Sequence, residues 1–222
     1  MYTSIEDIKV KLKPLGYKIN DPWDIVDTFE KMVAKFAGSK YAVAVDNCTN
    51  AIFLCLKYLN PQNKVIDIPA KTYVSVPQVV IHAGYQPHFI DYEWDGMYQL
   101  CPTNIIDSAT QFTKDMYLPG YYMCLSFHLK KILNIGKGGM ILTDDEDAYR
   151  WFKKARYEGR DITVKYDDDN IDMLGWNMYM PPEQAAYGIE LFLKLADNND
   201  NCGGSWKYPD VRTFKCFKTD KK

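Results

Sequence analysis

Apolar residues repeat along this chain in two alternating rhythms. Ile25, Val26, Phe29, Met32, Val33 and Phe36 recur at helical spacing. Asp21-Pro22 before them reads as an N-cap followed by proline at the first helical position, and Gly38 ends the helix. Tyr41–Val45 is a short apolar run, read as a buried strand. The polar turn Asp46–Asn50 follows, and then a helix over Ala51–Leu59 with Ile52, Leu56 and Leu59 on one face. The rhythm repeats. Val65–Pro69 predicts a strand, 75–82 a helix stopped by Gly84, and Pro87–Ile90 the next strand. The pattern lapses between Asp91 and Asn104. Strands resume at Asn104–Asp107, Tyr121–Phe127 and Gly139–Thr143. Asp144 predicts the cap of a helix with Ala148, Trp151, Phe152 and Ala155 inward. Pro181-Pro182-Glu183 opens a last helix to about Leu195. Strands alternating with helices predict an α/β fold with a mostly parallel sheet.

Composition narrows this picture. The 222 residues are 47% hydrophobic and 25% charged, as in a globular protein rather than a disordered or collagen-like chain. The net charge of −2 argues against nucleic acid as a partner. No apolar run spans a bilayer, and the charged start MYTSIEDIKVKLK lacks a signal peptide's apolar core, so a cytoplasmic protein is expected. The six cysteines form no C-x-x-C pair and only three histidines accompany them. Free thiols and no metal site are expected. Residues 197–204 (DNNDNCGG) read as a linker before a short tail.

Four positions carry candidate chemistry. The 46–50 turn stands where a strand ends and a helix begins, a place suited to phosphate through free N–H groups, with the Thr49 hydroxyl added; a plain N-cap reads the same way. Asp107 ends an apolar strand on the carboxyl edge of the sheet, where it can hold a proton on a ring nitrogen or merely cap a turn. Lys131, just past the strand 121–127, suits a Schiff-base nucleophile or a solvated surface lysine. Tyr73 can stack on a cofactor ring or pack as a half-buried aromatic. Gly136-Lys-Gly-Gly139 is glycine-rich without the spacing of a P-loop.

These pieces fall in an order. FAGSKYAVAVDNCTNAI, IPAKTYVSV, GYQPHFIDY, IIDSATQ, LSFHLKK, GKGGMILTDD and GWNMYMPPEQAAYGIEL follow one another over residues 20–196. Together they resemble the DegT/DnrJ/EryC1/StrS family of pyridoxal-phosphate (PLP) aminotransferases, which act on nucleotide-linked keto-sugars. The resemblance implies the aspartate-aminotransferase-like fold, a seven-stranded mostly parallel sheet in a homodimer. It implies a PLP-binding domain over 1–196, then a linker and tail over 197–222. Lys131, five after Ser126, matches the family's Schiff-base lysine, with Lys130 its neighbour. Asp107 matches the partner of the pyridine nitrogen. Cys48 and Thr49, beside Asn47, match the Gly-Thr of the phosphate turn, and Ser126 a further phosphate contact. Tyr73 falls at or beside the ring-stacking aromatic. Gln111 and His128 complete the expected cofactor contacts, and Asn177 matches an asparagine reaching the partner subunit's site. Glutamate is the implied amino donor. A family branch that dehydrates sugars has histidine in place of the lysine, and Lys131 argues against it.

The sequence also departs from that family. The segment between Asp91 and Asn104 is shortened, predicting a missing strand. Cys48 replaces glycine in the phosphate turn, Thr110 stands three after the aspartate, and Tyr179 replaces an arginine two after the asparagine. The resemblance predicts a shortened form that lacks the family's C-terminal domain, which closes over substrate. The rival readings are a noncatalytic homologue that binds PLP or a protein partner, and a plain nucleotide-binding α/β module.

Overall fold

A computed structural model describes residues 4–218. Its elements in chain order are α1 (Ile5–Leu12), α2 (Trp23–Ala37), β1 (Tyr41–Val45), α3 (Cys48–Leu59), β2 (Val65–Pro69), α4 (Ser75–His82) and β3 (Gln86–Ile90). Then come β4 (Tyr98–Leu100), β5 (Ile105–Asp107), β6 (Tyr122–Ser126), β7 (Gly139–Thr143), α5 (Glu146–Ala155) and α6 (Pro182–Phe192).

The main sheet has the order β1-β7-β6-β5-β4, and β2-β3 form a two-stranded sheet. A single antiparallel bridge, Asp67 with Cys101, joins β2 to the chain just after β4. The pairings fix the directions. β1, β5 and β6 run one way, β7 and β4 the other, and the bridge sets β2 and β3 with the first group. The sheet is therefore mixed, with most of its strands pointing one way, and helices flank it. The strand expected to be missing between Asp91 and Asn104 is present as β4, three residues long and reversed.

The central strands β1, β6 and β7 are almost wholly apolar because both their faces are covered. Ala42, Ala44, Met123, Leu125, Met140 and Leu142 pack with Phe29, Phe127 and Ile189 on the side of α2 and α6. The intervening Val43, Val45, Cys124 and Ile141 pack with Leu54, Val80 and Phe152 on the side of α3, α4 and α5. The period of two along each strand thus feeds two cores.

Several boundaries move. α1 was not anticipated; its signal is the capping box Ser4-x-x-Asp7, followed by Ile8 and Leu12 buried at helical spacing. α2 starts at Trp23, and the Asp21 carboxylate accepts the Trp23 N–H at 2.8 Å. The cap of α5 is Asp145, not Asp144, because Asp145 Oδ1 accepts the Ala148 N–H at 3.0 Å. Asp144 instead accepts from Gly120 N at 3.1 Å. α6 ends at Phe192, before Leu195.

A buried ionic cluster ties α2, β1 and α5. Arg156 is 2% exposed and Glu30 3%. Arg156 donates to Glu30 and to the Ala44 carbonyl, and Glu30 also accepts from Ala44 N at 2.8 Å and from Lys153 Nζ at 2.9 Å. Burial pushes the Glu30 carboxyl up, but the charges of Arg156 and Lys153 outweigh it and hold the carboxyl below its usual value. Among the described residues no helix is long and apolar enough to cross a membrane.

Candidate active site

The turn after β1 is the start of α3 itself. Asn47 is its N-cap, accepting the Asn50 N–H at 2.8 Å, so the helix begins at Cys48 rather than at Ala51. This leaves the N–H groups of Cys48 and Thr49 at the first two helical positions. Among the described residues neither meets a backbone or side-chain acceptor. The Thr49 hydroxyl lies 2.7 Å from that of Ser75, at the start of α4, so two helix N-termini converge on one pair of hydroxyls. The positive ends of both helices favour an anion there.

Asp107 ends β5 at the same edge and is 6% exposed. Its Oδ1 accepts the Ala109 N–H at 2.9 Å and faces the Cys48 thiol at 3.9 Å. Its Oδ2 accepts from the Tyr98 hydroxyl at 2.7 Å. Burial raises the carboxyl above its ordinary value, while those donors and the Lys131 charge pull it back. The Cys48 thiol is pushed well up by burial and by the Asp107 charge, so it sits there as a neutral group. Lys131 is half-buried, with its N–H on the His128 carbonyl at 2.9 Å, and its charge bears on both Asp107 and Cys48. Lys130 is exposed.

Ser126 ends β6 and lies in register with Gly139, which pairs in turn with Val45. Gly139 is where the sheet meets the anion turn. A Cβ there would stand 2.4 Å from the Asn47 carbonyl carbon and 2.6 Å from Cys48 N. Both are backbone atoms that cannot swing away, so Gly139→Ala is expected to push α3 off β7. The measured loss should be about 1–3 kcal/mol in chemical denaturation, as for overpacked cores. A variant as stable as the parent would show that the turn has slack.

The structure thus brings Asn47, Cys48, Thr49, Asp107, Ser126 and Lys131 to one edge of the sheet. Others stand apart. Tyr73 is 58% exposed and meets the Tyr208 ring edge-on at 6.3 Å. His128 is exposed on the loop after β6. Asn177 is exposed and donates to Glu158 Oε1 at 2.6 Å, touching none of the other site residues within this chain. Gln111 Oε1 is buried without a partner among the described residues. A cleft of about 440 Å³ opens along the loop after Lys131, lined by Leu129, Gly136, Lys137 and Gln184, but it includes neither Lys131 nor Asp107.

A model of the DegT/DnrJ/EryC1/StrS aminotransferase family matches residues 18–118 and 119–205. The chain belongs to that family. It is 27% identical over 224 residues to the spore coat polysaccharide biosynthesis protein SpsC of Bacillus subtilis, covering 78% of this chain and 57% of that one. It is 26% identical over 205 residues to GDP-perosamine synthase of Caulobacter vibrioides, covering 72% and 54%. The chain therefore spans little more than half the length of these relatives. A family aminotransferase from Brucella abortus superposes with a TM-score of 0.66 at 20% identity, covering 85% of this chain and 62% of that one. Helicobacter pylori PseC, an aminotransferase of pseudoaminic acid biosynthesis, gives 0.64 at 14%, covering 87% and 63%. These neighbours share the aspartate-aminotransferase-like fold.

The family is PLP-dependent, and the donors present suit that group. Two unpartnered N–H groups and two hydroxyls fit a phosphate, a buried carboxylate fits a protonated ring nitrogen, and a half-buried lysine fits an aldehyde.

Sequence reasoning missed Tyr98, Thr72 and the contacts made by the tail. Tyr98 lies in a strand of three residues, too short for any period to show. The tail lies against the segments that follow β2, β3 and β5. Cys202 N donates to the Thr110 carbonyl at 2.9 Å, and Val211 N to the Ala70 carbonyl at 2.9 Å. Thr110 Oγ1 lies 2.7 Å from the Gly203 carbonyl, so the residue three after Asp107 pins the tail. Tyr208 stacks on Trp94 at 5.7 Å, and burial raises its phenol to about 12. No local signal in the sequence announces these contacts between distant segments.

Proposed function

We propose that this chain is a PLP-dependent aminotransferase that moves an amino group from an amino acid such as glutamate to a nucleotide-linked keto-sugar. The observation that carries the reading is the convergence, at one sheet edge, of the α3 N-terminus, the buried Asp107 carboxylate and Lys131. GDP-perosamine synthase of Caulobacter vibrioides and a UDP-sugar transaminase of Campylobacter jejuni are among its relatives, which supports the substrate class.

PLP, when bound, supplies an electron sink for the carbanion left when a substrate Cα proton departs. The chain's own residues do the rest. The Cys48 and Thr49 N–H groups with the Thr49, Ser75 and Ser126 hydroxyls hold the phosphate. Asp107 holds the proton on the ring nitrogen, and the low dielectric around it strengthens that pair. Lys131 Nζ would hold the cofactor's aldehyde end and serve as the group that moves a proton at the substrate carbon. Asn177, exposed in the single chain, would reach the site of a second copy in a homodimer; the family resemblance also assigns cofactor contacts to Tyr73, Gln111 and His128, which lie outside the cluster at the sheet edge.

The test is a PLP titration followed by glutamate and a panel of nucleotide-linked keto-sugars. A visible band on adding PLP, lost on adding glutamate and restored by a keto-sugar, is the expected result. PLP bound with no amine moved to any acceptor favours a noncatalytic homologue; a nucleotide bound without PLP favours a nucleotide-binding module. Asp107→Ala is expected to weaken PLP retention at least tenfold, because a charge-assisted bond in a buried site is lost. Equal affinity and an equal spectrum would remove Asp107 from that role.

A further inference from the structure

β4 places Tyr98 directly opposite Asp107 in the antiparallel register. Their side chains therefore share one face of the sheet. Tyr98 is 3% exposed and Thr72 2%. The Tyr98 hydroxyl donates to Asp107 Oδ2 at 2.7 Å, and the Thr72 hydroxyl lies 2.6 Å from it. A phenol has one proton. With that proton on Asp107, the Thr72 hydroxyl must be the donor to the phenol oxygen. The direction of the chain Thr72→Tyr98→Asp107 is thus fixed. The Trp94 ring, 4.7 Å away, packs against Tyr98 and limits its swing, and Trp94 is tied by its own N–H to the Lys71 carbonyl at 2.9 Å. A buried aromatic with both of its oxygen's roles filled is an expensive arrangement for packing alone, since phenylalanine fills the same space without a polar atom to satisfy.

We propose that Tyr98 is a positioning residue: with Thr72 behind it, it fixes the rotation of the Asp107 carboxylate and favours its charged form, so that Asp107 can hold the cofactor's ring proton. This rests on the reading of Asp107 given above. The groups facing Asp107 are few. The Tyr98 hydroxyl, the Ala109 N–H and the Cys48 thiol bond or approach it, and Lys131, Cys124 and Tyr208 act through their electrostatics. Of the side chains, Tyr98 gives it the shortest hydrogen bond. The bond comes from β4, in the short crossing between β3 and β5.

Two measurements test this, one without any cofactor. In the apo protein labelled with ¹³C at aspartate carboxyls, Asp107→Ala identifies the Asp107 resonance. Tyr98→Phe, which keeps the ring, is expected to move that resonance's titration midpoint upward, because a donor to the charged form is gone. Thr72→Val is expected to move it in the same direction by less. With PLP, Tyr98→Phe should raise the dissociation constant about tenfold, the usual effect of losing a hydrogen bond to a charged group. It should also shift the pH dependence of the bound-cofactor spectrum. A midpoint unchanged in Tyr98→Phe overturns the proposal. Should Tyr98→Phe fail to fold, an unchanged midpoint in Thr72→Val overturns it instead. Wild-type protein that binds no PLP refutes the aminotransferase reading, while the apo titration still decides whether Tyr98 governs Asp107.

Discussion

Lys131→Ala, mixed with PLP, is expected to show none of the visible band that the parent protein shows and borohydride bleaches. Lys131 is the half-buried lysine whose charge bears on both Asp107 and Cys48, the two groups the proposed function sets at the ring nitrogen and the phosphate turn. Without it no covalent link to the aldehyde forms and no group takes the substrate proton. Amine transfer from glutamate should fall by ~10³-fold or more, since a positioned acid–base group alone is worth about 10²–10⁴-fold. PLP itself should still bind, more weakly, through the α3 N-terminus. Lys130→Ala is the control, because Lys130 is exposed. A band that survives in Lys131→Ala and is lost in Lys130→Ala would exchange the two assignments. A band surviving in both would end the Schiff-base reading of this loop.

The second large effect concerns the fold. Glu30→Ala should lower stability by about 3–5 kcal/mol, the usual result of removing one partner from a buried ion pair. For a chain of this size that is a melting temperature lower by roughly 6–20 °C. Arg156 would be left buried without its carboxylate, and the Ala44 N–H without its acceptor. The parent should also be acid-sensitive. The Glu30 carboxyl is held below its ordinary 4.5, so its contribution is fully present above that pH and is lost as pH falls through the folded-state value. Denaturation curves at neutral pH and below pH 4.5 check both statements. The gap between parent and Glu30→Ala should narrow in acid. A gap independent of pH would assign the loss to packing.

Glu30 also shows why local patterns under-read this chain. In the helical rhythm of α2 it looks like one more solvated charge between Phe29 and Met32. Only the packing of α5 over β1 brings Arg156 and Lys153 to it. Asp107 was the opposite case. An apolar strand ending in a carboxylate is visible as such, and its burial follows from the strand's position between β4 and β6.

The chain's own periodicities determined the larger elements. α2, β1, β2, α4, β6, β7 and α5 stand within a residue or two of where the alternation of apolar and polar positions put them, because each buries its apolar positions at its own period. The motif order likewise pointed to the family. The tertiary structure decided what a period cannot encode. It set β4, three residues long, against β5, and so gave Asp107 its hydrogen bond from Tyr98. It brought Ser75 to Thr49 and laid the tail across Trp94 and Thr110. Each of these contacts joins segments far apart in sequence. Their geometry depends on how whole layers pack, which no local pattern of residues specifies.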